Sequence, residues 1–202
     1  MNLIFLKHQI AFTLCVSLFY SQSILLFGED SSEQINESKE WENPFKPDEV
    51  DQAIDSGIEF LLSKQIENGA IYDRSNPTAI TALAVMSLAA VGNLPIHPNK
   101  TGKSMSRAID FLLLEQNQNE IGYFGKRGGR MYGHGIVTLT LAEMLGMGID
   151  EEVDTAIREK CQLAINLILR SQKVTKNQSQ QQGGWRYSPD SPDADLSVSI
   201  WQ

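Results

Sequence analysis

The chain is poor in the residues that most often announce a chemistry. It has two cysteines and three histidines in 202 residues. Cys15 lies inside an apolar amino-terminal run, which leaves Cys161 as the one cysteine beyond it. An internal disulfide and a dithiol metal site are thereby excluded. No histidines stand at His-x3-His spacing, so no metal and no cofactor is implied. Basic residues are scarce as well: 17 Lys and Arg face 25 Asp and Glu, for a net charge of −8. With no basic stripe to displace phosphate counterions, the composition argues against nucleic acid as a partner. The one long apolar run, Ile10 to Tyr20, is interrupted by Ser21-Gln22-Ser23 before Ile24 to Phe27. It falls short of the about 20 residues of an unbroken membrane span. Lys7 and His8 ahead of the run, and small polar residues after it, form a secretory-signal pattern over residues 1–28. An uncleaved anchor is the other reading, which keeps membrane contact open. Leu14 stands before Cys15 where a lipoprotein signal would carry a small residue. Export to a periplasmic or extracellular location is expected, followed by an acidic flexible linker over 29–47 and a folded region over 48–202.

What the chain does contain is one helical phrase written three times: SGIEFLLSKQ from Ser56, RAIDFLLLEQ from Arg107 and LAINLILRSQ from Leu163. The closing glutamines Gln65, Gln116 and Gln172 are 116 − 65 = 51 and 172 − 116 = 56 residues apart. Each is followed by a glycine and an apolar or aromatic residue: Gly69-Ala70-Ile71, Gly122-Tyr123-Phe124 and Gly183-Gly184-Trp185. A repeat of this length means stacked supersecondary units, none able to bury its apolar face alone. In the first copy Ile54, Ile58, Leu61 and Leu62 fall on one helical face, while Asp51, Asp55 and Glu59 fall on another. A second helix in each unit is almost uncharged: TAITALAVMSLAAV over Thr78 to Val91, and HGIVTLTLAEML over His134 to Leu145. Such helices are expected to be buried all round, with Gly92 and Gly146 as their left-handed ends. The pattern predicts an all-α protein in which amphipathic outer helices alternate with buried inner ones. The period exceeds the about 34 to 47 residues of straight helical solenoids, and long Gly-rich loops join outer to inner helices. Both features favour a closed α/α ring over a solenoid.

With those phrases, the chain resembles the prenyltransferase/squalene oxidase repeat family, and within it an exported, squalene-cyclase-like branch. Gln65-x3-Gly69, Gln116-x5-Gly122-Tyr123-Phe124 and Gly183-Gly184-Trp185 are similar to that family's glutamine–tryptophan repeats, with Ile71 in place of the first aromatic. The resemblance spans Asp48 to Gln202 and implies an α/α toroid of terpenoid cyclase or protein prenyltransferase type. Such a ring has about six helix pairs in that family. Here two pairs and a third outer helix amount to its N-terminal half, so the C-terminal half is expected to be missing or supplied by a partner.

The same resemblance marks candidate site residues. Class II triterpene cyclases protonate their substrate with an Asp-x-Asp-Asp motif, and Asp193 and Asp195 match its first two acids. Asp195 would then be the proton donor, since clustered carboxylates raise one another's pKa. Leu196 replaces the third Asp and Ser197 the usual Thr. The other reading of Asp195 is a helix N-cap. In protein prenyltransferases a zinc-binding Asp-x-Cys lies near this segment, but Asp195 occupies the cysteine position, so zinc is not expected. His134, in Tyr132-Gly133-His134-Gly135, is either a ligand-binding imidazole at a helix start or a loop-fixing hydrogen-bond partner. Arg130 ends the basic loop Lys126-Arg127-Gly128-Gly129-Arg130, which could hold an anion or simply be solvated. Glu143 is the lone carboxylate of an inner helix; it either faces the cavity or, as favoured, hydrogen-bonds a neighbouring helix end. Trp185, Tyr187 and Tyr132 are expected near the mouth of the ring, where aromatics either stabilise cations or lock repeats together.

Three functions remain open on sequence alone. The favoured one is a non-catalytic toroid binding an apolar small molecule or a protein partner. The second is a class II terpenoid cyclase, an isomerase acting through Asp195. The third is a purely structural helical repeat.

Overall fold

A computed structural model describes residues 47–72, 75–125, 129–147 and 150–202. The signal-like segment 1–28, and the acidic linker apart from Pro47, lie outside the described residues. Among the described residues all regular structure is helical, as six α-helices and two single 3₁₀ turns.

Four of the six helices start on a side-chain cap that accepts from their free N–H groups. Helix α1 (Glu49–Ser63) opens on a capping box, in which Asp48 accepts from Val50 and Asp51 and the Asp51 carboxylate accepts from the Asp48 N–H. Helix α2 (Pro77–Ala90) begins with proline in the first turn, where a missing N–H costs nothing. Asn99 caps α3 (Lys100–Leu113) and Asp150 caps α5 (Glu151–Gln172). Helix α4 (Arg130–Met144) follows the left-handed Gly129, and α6 (Leu196–Trp201) is capped by Asp195. Gly92 and Gly146 do take left-handed backbones after α2 and α4, at φ of 82° and 81°. Helix α4 begins four residues ahead of the expected His134, directly after the left-handed Gly129.

The helices form two rows. The outer row runs α1, α3, α5 and the inner row α2, α4, α6, with each helix packed on the next of its row. Both inner helices α2 and α4 also pack against the following outer helix, α3 and α5. The core lies between the rows and includes Val85, Leu88, Met105, Ile109, Leu112, Val137, Leu141 and Ile157. Burial of each such aliphatic side chain contributes on the order of 2 kcal/mol.

A glutamine and a glycine fasten successive units. The Gln65 Nε2 amide donates to the Gly69 carbonyl of its own turn at 2.9 Å and to the Ser104 carbonyl of α3 at 2.9 Å. The Gln118 Nε2 repeats this, donating to Gly122 at 3.1 Å and to Lys160 of α5 at 2.8 Å. Gly69 and Gly122 have φ of 91° and 88°. A Cβ at either position would collide with a carbonyl of the next outer helix, at Arg107 or at Leu163. Left-handed backbone and close approach together require glycine here.

This corrects the register read from sequence. Gln116 closes the repeated phrase but is exposed; the fastening residue is Gln118, which restores the Gln-x3-Gly spacing. The 3₁₀ turn Glu115–Asn117 supplies the shift. From turn to inner helix the first two units are therefore 118 − 65 = 53 residues apart, while the outer helices keep the offset of 51.

The inner helices are not buried all round. On α2, Ile80, Ser87 and Ala90 are exposed, and on α4, Leu139, Ala142 and Glu143 are exposed. No described helix covers these stripes. Glu143 thus faces outward and is not buried against a helix end.

The fastening geometry predicts unequal effects of two alanine substitutions. Gly122→Ala should lower the unfolding free energy by roughly 3 kcal/mol, from backbone strain plus steric conflict with α5. Gly57→Ala, in mid-helix with open space at its Cβ position, should raise it by about 0.5 to 1 kcal/mol. Equal effects in chemical denaturation would contradict the assignment.

Candidate functional site

The candidate residues divide into a buried histidine and a loop cluster at the starts of α4 and α6. The histidine belongs to the repeat. In each unit the backbone N–H that follows the Gly turn donates to a polar side chain near the start of the inner helix. Ile71 donates to Thr81 Oγ1 at 2.9 Å, Phe124 to His134 Nδ1 at 3.3 Å, and Trp185 to Ser199 Oγ at 3.0 Å. His134 is therefore the second unit's counterpart of Thr81 and Ser199. Its Nε2 faces the Ala164 carbonyl of α5 at 3.3 Å, and the ring packs near Tyr123 and Phe124. With Nδ1 accepting and Nε2 donating, the neutral imidazole satisfies both partners. Burial pushes its pKa down to about 4. The side chain is fully buried and offers no surface to a ligand. The depressed pKa comes first from burial, and His134 sits one turn inside α4 rather than at its start.

The remaining candidates meet around Arg186. The loop from Lys173 to Asp195 is tied down by Asn177 N–H to the Pro192 carbonyl at 2.8 Å and by Gln182 Nε2 to the Lys176 carbonyl at 3.0 Å. The buried Lys176 ammonium donates to the Ser191 carbonyl at 2.7 Å; burial lowers its pKa, against the pull of Asp193. Trp185 is anchored by its indole N–H to the Ile168 carbonyl of α5 at 3.0 Å, which fixes the next two residues. Arg186 Nε then lies 3.4 Å from Asp193 Oδ2, and Nη1 lies 3.3 Å from Asp195 Oδ2. Asp195 also accepts from the Val198 N–H at 3.0 Å and from the Ser197 hydroxyl. Ser197 in turn meets the Tyr132 hydroxyl. The Tyr187 ring has the Arg186 guanidinium 4.4 Å from its centre, Arg130 at 5.8 Å and Tyr132 at 6.1 Å. Arg130 itself holds a left-handed backbone at φ 61°, unusual for a non-glycine residue. Its neighbours Lys126, Arg127 and Gly128 lie outside the described residues.

The electrostatics decide what this cluster can do. The Ser197 hydroxyl, then the Val198 N–H, with the Arg186 charge, hold the Asp195 carboxyl below the ordinary aspartate range. A general acid at neutral pH needs the opposite shift. Asp193 and Asp195 share one guanidinium, and Asp195 caps α6. Sequence reasoning missed Arg186, whose signal was its place between two aromatics and within reach of both acids.

Other features lie apart from the cluster. A groove of about 800 Å³ opens at the turn after α3 and includes Glu115, Glu120, Glu159 and Lys160. Another of about 660 Å³ lies beside Pro95, His97 and Lys103. Neither includes Tyr132, Tyr187 or Asp195. Cys161 is buried, and burial raises its thiol pKa. Among the described residues no group of three or more His, Cys, Asp or Glu is placed to hold a metal ion, and no helix is long and apolar enough to cross a membrane. Comparison of the chain with protein-family models, with curated proteins and with solved structures gives no match.

His134 predicts a pH dependence of stability. Its folded pKa of about 4 lies below the ordinary 6.5, so the unfolded chain binds the proton first. The associated stability is complete above about pH 6.5 and is lost as pH falls toward 4. It amounts to on the order of 3 kcal/mol. Thermal melts across this window should show the decline in the native chain and a flatter profile in His134→Gln. Parallel profiles would contradict the assignment.

Proposed function

We propose that the chain is a squalene-cyclase-like repeat protein of terpenoid cyclase fold, part of an α/α toroid, that binds an apolar small molecule without turning it over. The observation that carries the reading is the ion-paired state of the two acids. Arg186 is ion-paired with both Asp193 and Asp195, and the other Asp195 oxygen accepts at the start of α6. A cyclase working through Asp195 would need a protonated carboxyl there, so the isomerase reading is the weaker one.

Support for an apolar ligand comes from the open stripe of the inner row. Met86 and Ala90 on α2 and Tyr132, Leu139 and Ala142 on α4 are half-buried or exposed, with Glu143 as the one charge among them. Side chains of this kind, left uncovered on two packed helices, form a surface suited to hydrocarbon. A purely structural repeat would have no use for it. The proposed location is the periplasm or the cell exterior, following the secretory pattern of residues 1–28, and an isoprenoid lipid could be taken up there from a membrane surface.

The test is to titrate the chain with a linear isoprenoid such as squalene, following tryptophan fluorescence, and to analyse the recovered lipid by mass spectrometry and chromatography. Saturable binding with unchanged lipid is expected, and Leu139→Glu should weaken binding by roughly 10-fold or more. Recovery of a cyclised isomer, or no binding at all, would contradict the proposal.

A further inference from the structure

The two fastened junctions share a backbone arrangement and differ in the side chains around it. At each, the glutamine Nε2 holds the turn and the next outer helix, and the glutamine Oε1 is left over as an acceptor. At the first junction that acceptor is used: the Arg107 guanidinium of α3 donates to Gln65 Oε1. Arg107 is also the residue whose carbonyl Gly69 abuts. The same position in the second junction is Leu163, whose carbonyl Gly122 abuts in the same way. Leucine has no group to donate. Among the described residues nothing donates to Gln118 Oε1, although Gln118 is only 8% exposed. Both amide hydrogens of Gln118 are fixed on carbonyls, so this acceptor is held in one direction.

The place left by the missing guanidinium belongs to an open groove. The groove of about 800 Å³ at the turn after α3 is lined by Gln118 together with Leu163, Ile121 and Tyr123. Its charges are the carboxylates of Glu115, Glu120 and Glu159 against the single ammonium of Lys160. Lys160 is taken up by Glu115 at 2.8 Å, while Glu120 and Glu159 are exposed. The first junction carries the opposite charge at the matching place. Glu159 stands where α3 has Lys103, by the offset of 56 between the second and third phrases. The second junction has thus lost the internal cation and gained an anion beside the same acceptor.

We infer that this groove binds an arginine side chain of a peptide, its guanidinium on Gln118 Oε1 as Arg107 sits on Gln65, with Glu159 and Glu120 as counter-charges. A guanidinium is planar, always charged and weakly hydrated, and it donates to a carbonyl and a carboxylate at once. Leu163, Ile121 and Tyr123 offer apolar surface to its stem and to the flanking residues. The volume is that of pockets enclosing ligands larger than one side chain, which selects a peptide over the free amino acid. The groove lies on the outer row, and the inference does not rest on the lipid-binding reading.

The test is isothermal titration calorimetry of the full chain with the end-blocked tripeptide Leu-Arg-Leu, its neutral citrulline analogue and free arginine. Saturable one-to-one binding of the arginine peptide is expected, with the citrulline analogue and free arginine each weaker by about 10-fold or more. Glu159→Gln should weaken peptide binding by about 3-fold. Asp55→Asn, the same loss of charge on α1, should leave it unchanged. Leu163→Arg should abolish binding by supplying the guanidinium from within, as Arg107 does. Its melting temperature should equal or exceed that of the native chain, since Leu163 is 45% exposed and only its side chain changes. No binding of the arginine peptide, equal affinity for the citrulline analogue or for free arginine, or a folded Leu163→Arg chain that binds like the native one would overturn the inference.

Discussion

The structure depends on one interaction made twice: a glutamine side-chain amide that donates simultaneously to its own turn and to the next outer helix. Gln65 and Gln118 each donate to a turn carbonyl, Gly69 or Gly122, and to a carbonyl within the next outer helix, Ser104 or Lys160. An unmade hydrogen bond at such a place costs more than a formed one contributes, so the amide specifies the register of stacking as much as its strength. The glycine four residues later lets the next helix come to backbone contact. Outer helices are thereby held at a fixed spacing, and the inner helices follow.

Because the inner helices are placed by the outer row, the loops between them inherit a common geometry. A backbone N–H after each turn needs an acceptor on the inner helix, and three different residues, Thr81, His134 and Ser199, provide it. A histidine that looks like a catalytic or binding group is in this setting one solution to a recurring backbone requirement. The third loop is longer, and its extra residues bring Arg186 between two carboxylates and against Tyr187. That loop orders the start of α6, where the Ser197 hydroxyl, the Val198 N–H and Arg186 hold the Asp195 carboxyl below the ordinary aspartate range, the opposite of what a general acid needs.

Much of the architecture was legible in the sequence. The thrice-written phrase gave the outer helices, and uncharged runs marked the inner ones, because helical periodicity and burial leave direct traces in residue choice. The left-handed glycines at 92 and 146 were legible for the same reason. The glutamine register was not: Gln116 closes the phrase, and only the 3₁₀ turn that follows passes the role to Gln118. The exposed stripes on α2 and α4 were also hidden, since an apolar residue reads alike whether a neighbour covers it or not. At the site, the capping role of Asp195 could be read from the residues before α6. The part of Arg186 depended on a loop conformation that no periodicity encodes, and the His134 environment depended on packing from three directions.

The most direct measurement of the central claim is hydrogen exchange of the glutamine side-chain amides by NMR. If Gln65 and Gln118 fasten the units, their Nε2 hydrogens exchange far more slowly than those of the exposed Gln116 and Gln180, and they become labile together with the backbone amides of α3 and α5. Side-chain amides of Gln65 and Gln118 that exchange as fast as those of Gln116 would contradict the account.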